Sequence, residues 1–127
     1  MTTSESTAAS SITSQDAEGT THVVLCGEID AALRDQASEA MLFVVAANHP
    51  VLVDVAGVTF IDSSGLAFLV QLHRLCGESG LDLELRDPSE NILDLLEVLG
   101  MRGEFIVTSS REPSRERESV GAGAASA

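Results

Sequence analysis

The sequence predicts an α/β (α+β) domain built on a single sheet, and three observations predict it. Short apolar runs alternate with segments of helical periodicity in the order β-(β)-α-β-α-β-α-β. Strands separated by helices must pair in parallel through right-handed crossovers. With 127 residues the chain can bury one core and forms one domain. At this size some helical cover falls on only one face of the sheet.

Each element has a local reason. Residues 21–27, Thr-His-Val-Val-Leu-Cys-Gly, form a buried strand. The turn residues Asp16 to Gly19 precede it, so a weak edge strand near Ser10–Ser14 pairs with it as a hairpin. In residues 31–47, Leu33, Ala37, Ala40, Met41, Val44 and Val45 recur at helical spacing, and Asn48-His49-Pro50 ends that helix. Residues 51–55 are a central strand, extended by Val58–Ile61 past a kink at Gly57. The second helix covers 64–79 and stops near Gly77–Gly80. Residues 81–86, Leu-Asp-Leu-Glu-Leu-Arg, alternate as a strand with one wet face. After Asp87-Pro88-Ser89 a short helix over 90–99 carries Ile92, Leu95, Leu96 and Leu99 on one stripe, with Gly100 placed to cap it. A last strand covers Glu104–Thr108. The predicted domain is 11–109. Residues 1–10 and 110–127, rich in Ser, Ala, Gly and alternating Arg/Glu, are expected to be disordered tails.

Charge narrows the function. Twenty acidic residues against seven basic ones, all Arg, give a net charge of −13. Nucleic acid is excluded, because neutralising phosphates requires clustered Lys or Arg. Anionic membrane surfaces are excluded for the same reason. A basic protein partner fits. Cys26 and Cys76 stand far apart in apolar settings, without a CxxC pair, and read as free thiols in a reducing compartment. No run approaches a membrane span, and the N-terminus lacks the charged and apolar regions of a signal peptide. These features lead to an expected cytoplasmic location.

The most informative segment is Val58-Thr59-Phe60-Ile61-Asp62-Ser63-Ser64-Gly65-Leu66. A strand runs into an acid, two hydroxyls and a glycine, and a helix begins at once. The first turn of a helix has free N–H groups and the positive end of the dipole, so phosphate is tolerated there. Ser63 is thereby a candidate phosphate acceptor. Asp62, Ser63 and Ser64 are equally ordinary N-cap residues, and both readings stand.

On the second helix Leu66, Leu69, Val70, His73 and Cys76 form one stripe, and Phe68, Leu72 and Leu75 widen it. The extra width marks either deep burial or an apolar flank that contacts a partner. Catalytic motifs are lacking: there is no G-x-S-x-G elbow and no glycine-rich phosphate loop. His22, His49 and His73 have no acid–base or metal-ligand spacing and read as structural. The chain is expected not to be an enzyme and to need no cofactor or metal.

With the elements placed, three stretches resemble the STAS domain of the bacterial anti-anti-sigma factor family, the anti-sigma factor antagonists. They are Gly27-Glu28-Ile29-Asp30, then Val53-Asp54-Val55 through Leu66, then the strand, proline turn and short helix of residues 81–100. The likeness spans about residues 20–107 in order and spacing. It implies a small four- to five-stranded mixed sheet flanked by three to four helices. It places the family's phosphoacceptor on Ser63, loop and helix-cap support on Asp62, Ser64 and Gly65, and Asp30 near the acceptor. Partner contacts are expected from the second helix through Phe68, Leu72 and Leu75.

The implied partner is an anti-sigma factor, a serine kinase of the histidine-kinase-like ATPase class. Unphosphorylated protein holds that kinase and frees its sigma factor. Phosphorylation abolishes the hold, and a PP2C-type phosphatase restores it. Such partner switching serves transcription regulation in stress responses. The sequence departs from many relatives at Met101-Arg102-Gly103, where they continue with plainer apolar residues. Three other readings remain: a non-switching, stressosome-like STAS scaffold in which Ser63 only caps a helix, a small serine-dependent hydrolase, and a STAS sensor of a small ligand.

Overall fold

The computed structural model describes residues 9–110. The chain forms β1 (Ser11–Ala17), β2 (Thr20–Ile29), α1 (Arg34–Ala47), β3 (Val51–Ile61), α2 (Ser63–Glu78), β4 (Leu83–Arg86), α3 (Glu90–Val98) and β5 (Ile106–Thr108). Single 3-10 turns at Ala31–Leu33 and Arg102–Glu104 precede α1 and β5. The expected tails fall outside the described residues, apart from residues 9, 10 and 110.

The five strands form one sheet in the order β1-β2-β3-β4-β5. β1 is antiparallel to β2, and the other pairs are parallel. The edge strand expected near Ser10–Ser14 is β1, longer than read and closed onto β2 by a two-residue turn at Glu18–Gly19. The kink expected at Gly57 does not break β3, which runs from Val51 to Ile61. Instead β3 bulges twice against β2: it carries one extra residue between Asp54 and Gly57, opposite Val24–Cys26, and another between Val58 and Phe60, opposite Gly27–Glu28.

Each parallel connection steps one strand further in the same direction, so right-handed crossovers place all three helices on one face of the sheet. The burial pattern follows. Val23, Val53 and Leu85 are register partners across β2, β3 and β4, and all are fully buried under the helices. Their neighbours His22, Val24, Asp54, Glu84 and Arg86 point to the opposite, open face. The alternation read in residues 81–86 is this division between a helix-covered and an open face. Leu33, Val44, Leu69, Leu72, Ile92 and Leu96 complete the core from the helix side.

Helix ends obey local rules. Asn48 closes α1 in the left-handed region. Ser89 caps α3, its hydroxyl accepting the Ile92 N–H at 3.2 Å. Both cysteines are free thiols. Burial pushes the Cys76 thiol up to about 11, which keeps it protonated at neutral pH.

At the C-terminal end of β4, Asp87 accepts hydrogen bonds from the Ser110 hydroxyl at 2.6 Å and the Ser110 N–H at 3.0 Å. These bonds hold its carboxyl below the usual range, the Ser110 hydroxyl contributing most. A carboxyl depressed in the folded state adds stability above its unfolded value. That stability is lost as pH falls through the folded value. Asp87→Asn keeps the left-handed backbone that Asp87 adopts at φ 58°. It is therefore expected to make the decline of stability below about pH 4 shallower, leaving the part contributed by Asp16, whose carboxyl is also held low by the Thr21 hydroxyl. Urea unfolding between neutral pH and pH 3 checks this.

Candidate functional site

The site is assembled where β2 and β3 end side by side, since parallel strands deliver their C-terminal loops to the same edge of a sheet. After β2, Asp30 caps the 3-10 turn, its carboxylate accepting the Ala32 N–H at 3.0 Å. After β3, Asp62 caps α2. Its Oδ1 accepts the N–H groups of Ser64 at 2.8 Å and Gly65 at 3.1 Å. The two loops are tied together by the Asp62 N–H, which donates to the Ile29 carbonyl at 3.2 Å.

Two glycines make this approach possible. Gly27 adopts φ +79° at the irregular end of β2, and a Cβ there would lie 2.7 Å from Ser10 Oγ. That same hydroxyl accepts the Glu28 N–H at 2.9 Å, which locks the strand end. A Cβ on Gly65 would lie 2.5 Å from the Ile29 carbonyl oxygen and 2.7 Å from Ile61. The first turn of α2 rests directly on the end of β2, and only a hydrogen side chain leaves room.

The cap belongs to Asp62, so Ser63 does not serve as one. Ser63 is exposed at the first position of α2, and among the described residues its hydroxyl has no hydrogen-bond partner. No histidine engages it either: His49 lies 3.4 Å from Asp16, and His73 Nε2 bonds the Glu104 carbonyl at 2.9 Å. The Leu66 N–H is bonded to the Asp62 carbonyl at 2.9 Å. Of the first turn's amides, only that of Ser63 itself is left without an acceptor among the described residues. The helix start expected to cradle a phosphate is therefore already occupied by the Asp62 carboxylate, and a phosphate on Ser63 would compete with it.

A cleft of about 360 Å³ opens beside the loop, between the 3-10 turn, α1 and α2. Ile12, Ile29, Leu33 and Phe68 contribute apolar lining, and Asp30, Arg34, Ser64 and Gln71 contribute polar groups. Asp30, Ser64 and Gly65 thus line one depression, and neither Asp62 nor Ser63 belongs to that lining. Arg34 and Gln71 were not singled out by the sequence reading. Nothing in helical periodicity distinguishes an exposed polar residue at a cleft from any other.

The expected contact flank of the second helix requires correction. Phe68 and Leu72 are 4% and 0% exposed and belong to the core, and Leu75 packs partly against it. The wide apolar arc reflects burial, because α2 lies over the middle of the sheet with α1 and α3 on either side. Leu72→Ala is expected to cost about 3–4 kcal/mol of stability by leaving a cavity, measured by urea unfolding. The large apolar residue near Ser63 that does face solvent is Phe60, 52% exposed on the open face beside its register partner Glu28.

Comparison with known proteins agrees with this architecture. The family model described as "Mlab, STAS domain" matches residues 12–108. The chain belongs to the STAS domain family, and its five-stranded mixed sheet with three helices is the STAS fold. Among solved structures, the anti-sigma factor antagonist SpoIIAA in its unphosphorylated form aligns with a TM-score of 0.62 and 16% identity, covering 86% of this chain and 96% of that one. The Bacillus cell fate determinant SpoIIAA in the phosphorylated form aligns with a TM-score of 0.66 and 17% identity, covering 85% and 99%. An anti-sigma factor antagonist from Mycobacterium paratuberculosis gives 0.67 and 22%, covering 79% and 86%. No curated protein matches the chain. Among the described residues no helix is long and apolar enough to cross a membrane.

Proposed function

We propose that this protein is an anti-sigma factor antagonist switched by phosphorylation of Ser63. In the unphosphorylated state it binds an anti-sigma factor, a serine kinase of the histidine-kinase-like ATPase class, and so releases a sigma factor. Phosphate on Ser63 ends the binding, and a PP2C-type phosphatase restores it. The domain acts by binding and catalyses nothing itself.

One observation carries this reading. Asp62 takes over the capping of α2, which leaves the Ser63 hydroxyl exposed and unengaged at the edge of the sheet. A serine whose task was capping would instead direct its oxygen at the helix amides. The fold adds support, since SpoIIAA is known in both an unphosphorylated and a phosphorylated form. A hydrolase would need a base in contact with the serine, and His49 and His73 are committed elsewhere.

The test is a pull-down with the full chain from its own cell extract in the presence of ATP, followed by intact-mass measurement and site mapping of the bait. The expected result is a small ATPase-domain partner and one phosphate, on Ser63. A captured partner without phosphate would favour the non-switching scaffold. No partner and no phosphate, from an extract with active anti-sigma kinases, would overturn the proposal.

A further inference from the structure

β3 outruns its neighbour. It pairs with β4 only from Val51 to Asp54, whereas it continues to Ile61 against β2. β4 stops at Arg86 because Asp87 turns into the left-handed region and Pro88 follows, leading to the Ser89 cap of α3. The outer edge of β3 therefore runs unpaired among the described residues for seven residues, Val55–Ile61, which are twice bulged and oppose five residues of β2, so the edge spans roughly 17 Å at strand rise. Ala56, Gly57, Thr59 and Phe60 are all exposed along it. Its foot is finished by the Asp54 carboxylate, which accepts the Ala56 N–H at 3.0 Å. Its far end leads straight into Asp62 and Ser63.

We infer that this edge is a docking site for a basic, extended segment of another protein, added to β3 as a further strand. Unpaired strand edges invite such pairing, and main-chain hydrogen bonds then supply affinity while alternate side chains supply selectivity. Charge selects the occupant. Asp54 stands at the foot, Asp62 at the far end and Glu28 in register with Phe60, on a chain of net charge −13. Arg86 offsets only the foot, where it is the register partner of Asp54. A second copy of this chain would bring the same acids together, whereas a segment alternating Arg with apolar residues can set its Arg side chains on the open face, beside those acids and over the Phe60 ring. The inference goes beyond the proposed switch, because it concerns the main chain before Ser63 and holds whatever the state of that serine.

The experiment uses the full-length, isotope-labelled protein and a short peptide alternating arginine and valine. Two controls are the same peptide with alternate amides N-methylated and a glutamate–valine counterpart. Binding is expected below about 1 mM, with chemical-shift changes and slowed amide exchange confined to residues 55–62. Phe60→Ala should weaken it roughly fivefold while leaving the unfolding midpoint unchanged. N-methylation should abolish binding. Equal binding by the N-methylated peptide, or shifts spread over the whole acidic surface, would reduce the effect to charge alone and overturn the inference. Silence up to that concentration would overturn it too. Slow exchange at these amides in the peptide-free protein would assign the edge to a second copy, if it depends on concentration, or to the chain's own terminus, if it does not; either result overturns the inference.

Discussion

Phosphoserine at position 63 is expected to weaken binding to the captured anti-sigma factor by at least about 100-fold, close to 3 kcal/mol, with the fold intact. A phosphate adds nearly two negative charges and three acceptor oxygens. The Ser64 and Gly65 amides that would otherwise receive it already serve Asp62. The phosphate stands beside that carboxylate with only the Ser63 N–H left to receive it. Water can solvate it in the free protein, but an interface covering Ser63 would strip that water and leave an unpaired charge. Ser63→Ala should bind within a few-fold of the native protein. Ser63→Glu, with a single charge, should fall between. Titration calorimetry with the three forms gives the order. Equal affinities would leave a scaffold with an incidental serine. Chemical-shift changes on phosphorylation should remain near residues 60–75. Large shifts elsewhere would replace the electrostatic block with a refolding mechanism.

Gly65→Ala is expected to produce the second large effect, a loss of about 2–4 kcal/mol in stability together with loss of partner binding. The added carbon would meet the Ile29 carbonyl oxygen at 2.5 Å and the Ile61 side chain at 2.7 Å. Backbone cannot swing aside as a side chain tip can. The start of α2 must lift off the end of β2, stretching the bond from the Asp62 N–H to Ile29 and separating Asp30 from the Ser63 loop. Gly77→Ala in the same helix meets nothing within 4 Å and serves as the control that should be neutral or stabilising. Urea unfolding of both variants separates helix propensity from the contact with β2. Similar changes in the two would remove the special role given to Gly65.

Much of the fold was legible because its determinants are local. Alternation in Leu83–Arg86 marks a sheet with one covered face. The Asp87-Pro88-Ser89 turn marks a strand end and a helix start. Asn48 marks a helix stop. Each works within a few residues, so reading the chain in order finds it. The site was legible in part for the same reason: Asp62, Ser63, Ser64 and Gly65 are contiguous, and strand-to-helix junctions have known chemistry.

Local patterns along the chain therefore settle the order of strands and helices, the single-domain core, the acidic balance and the junction that carries Ser63. Tertiary structure decided which hydroxyl or carboxylate caps α2, because Asp62 and Ser63 compete for the same amides and only the geometry of the loop selects between them. It decided that Phe68 and Leu72 are core, since an apolar arc does not record how many neighbours cover it. It also decided that β3 outruns β4 and leaves Phe60 exposed. Pairing is a relation between distant segments, and a strand's own residues carry no record of where its neighbour ends.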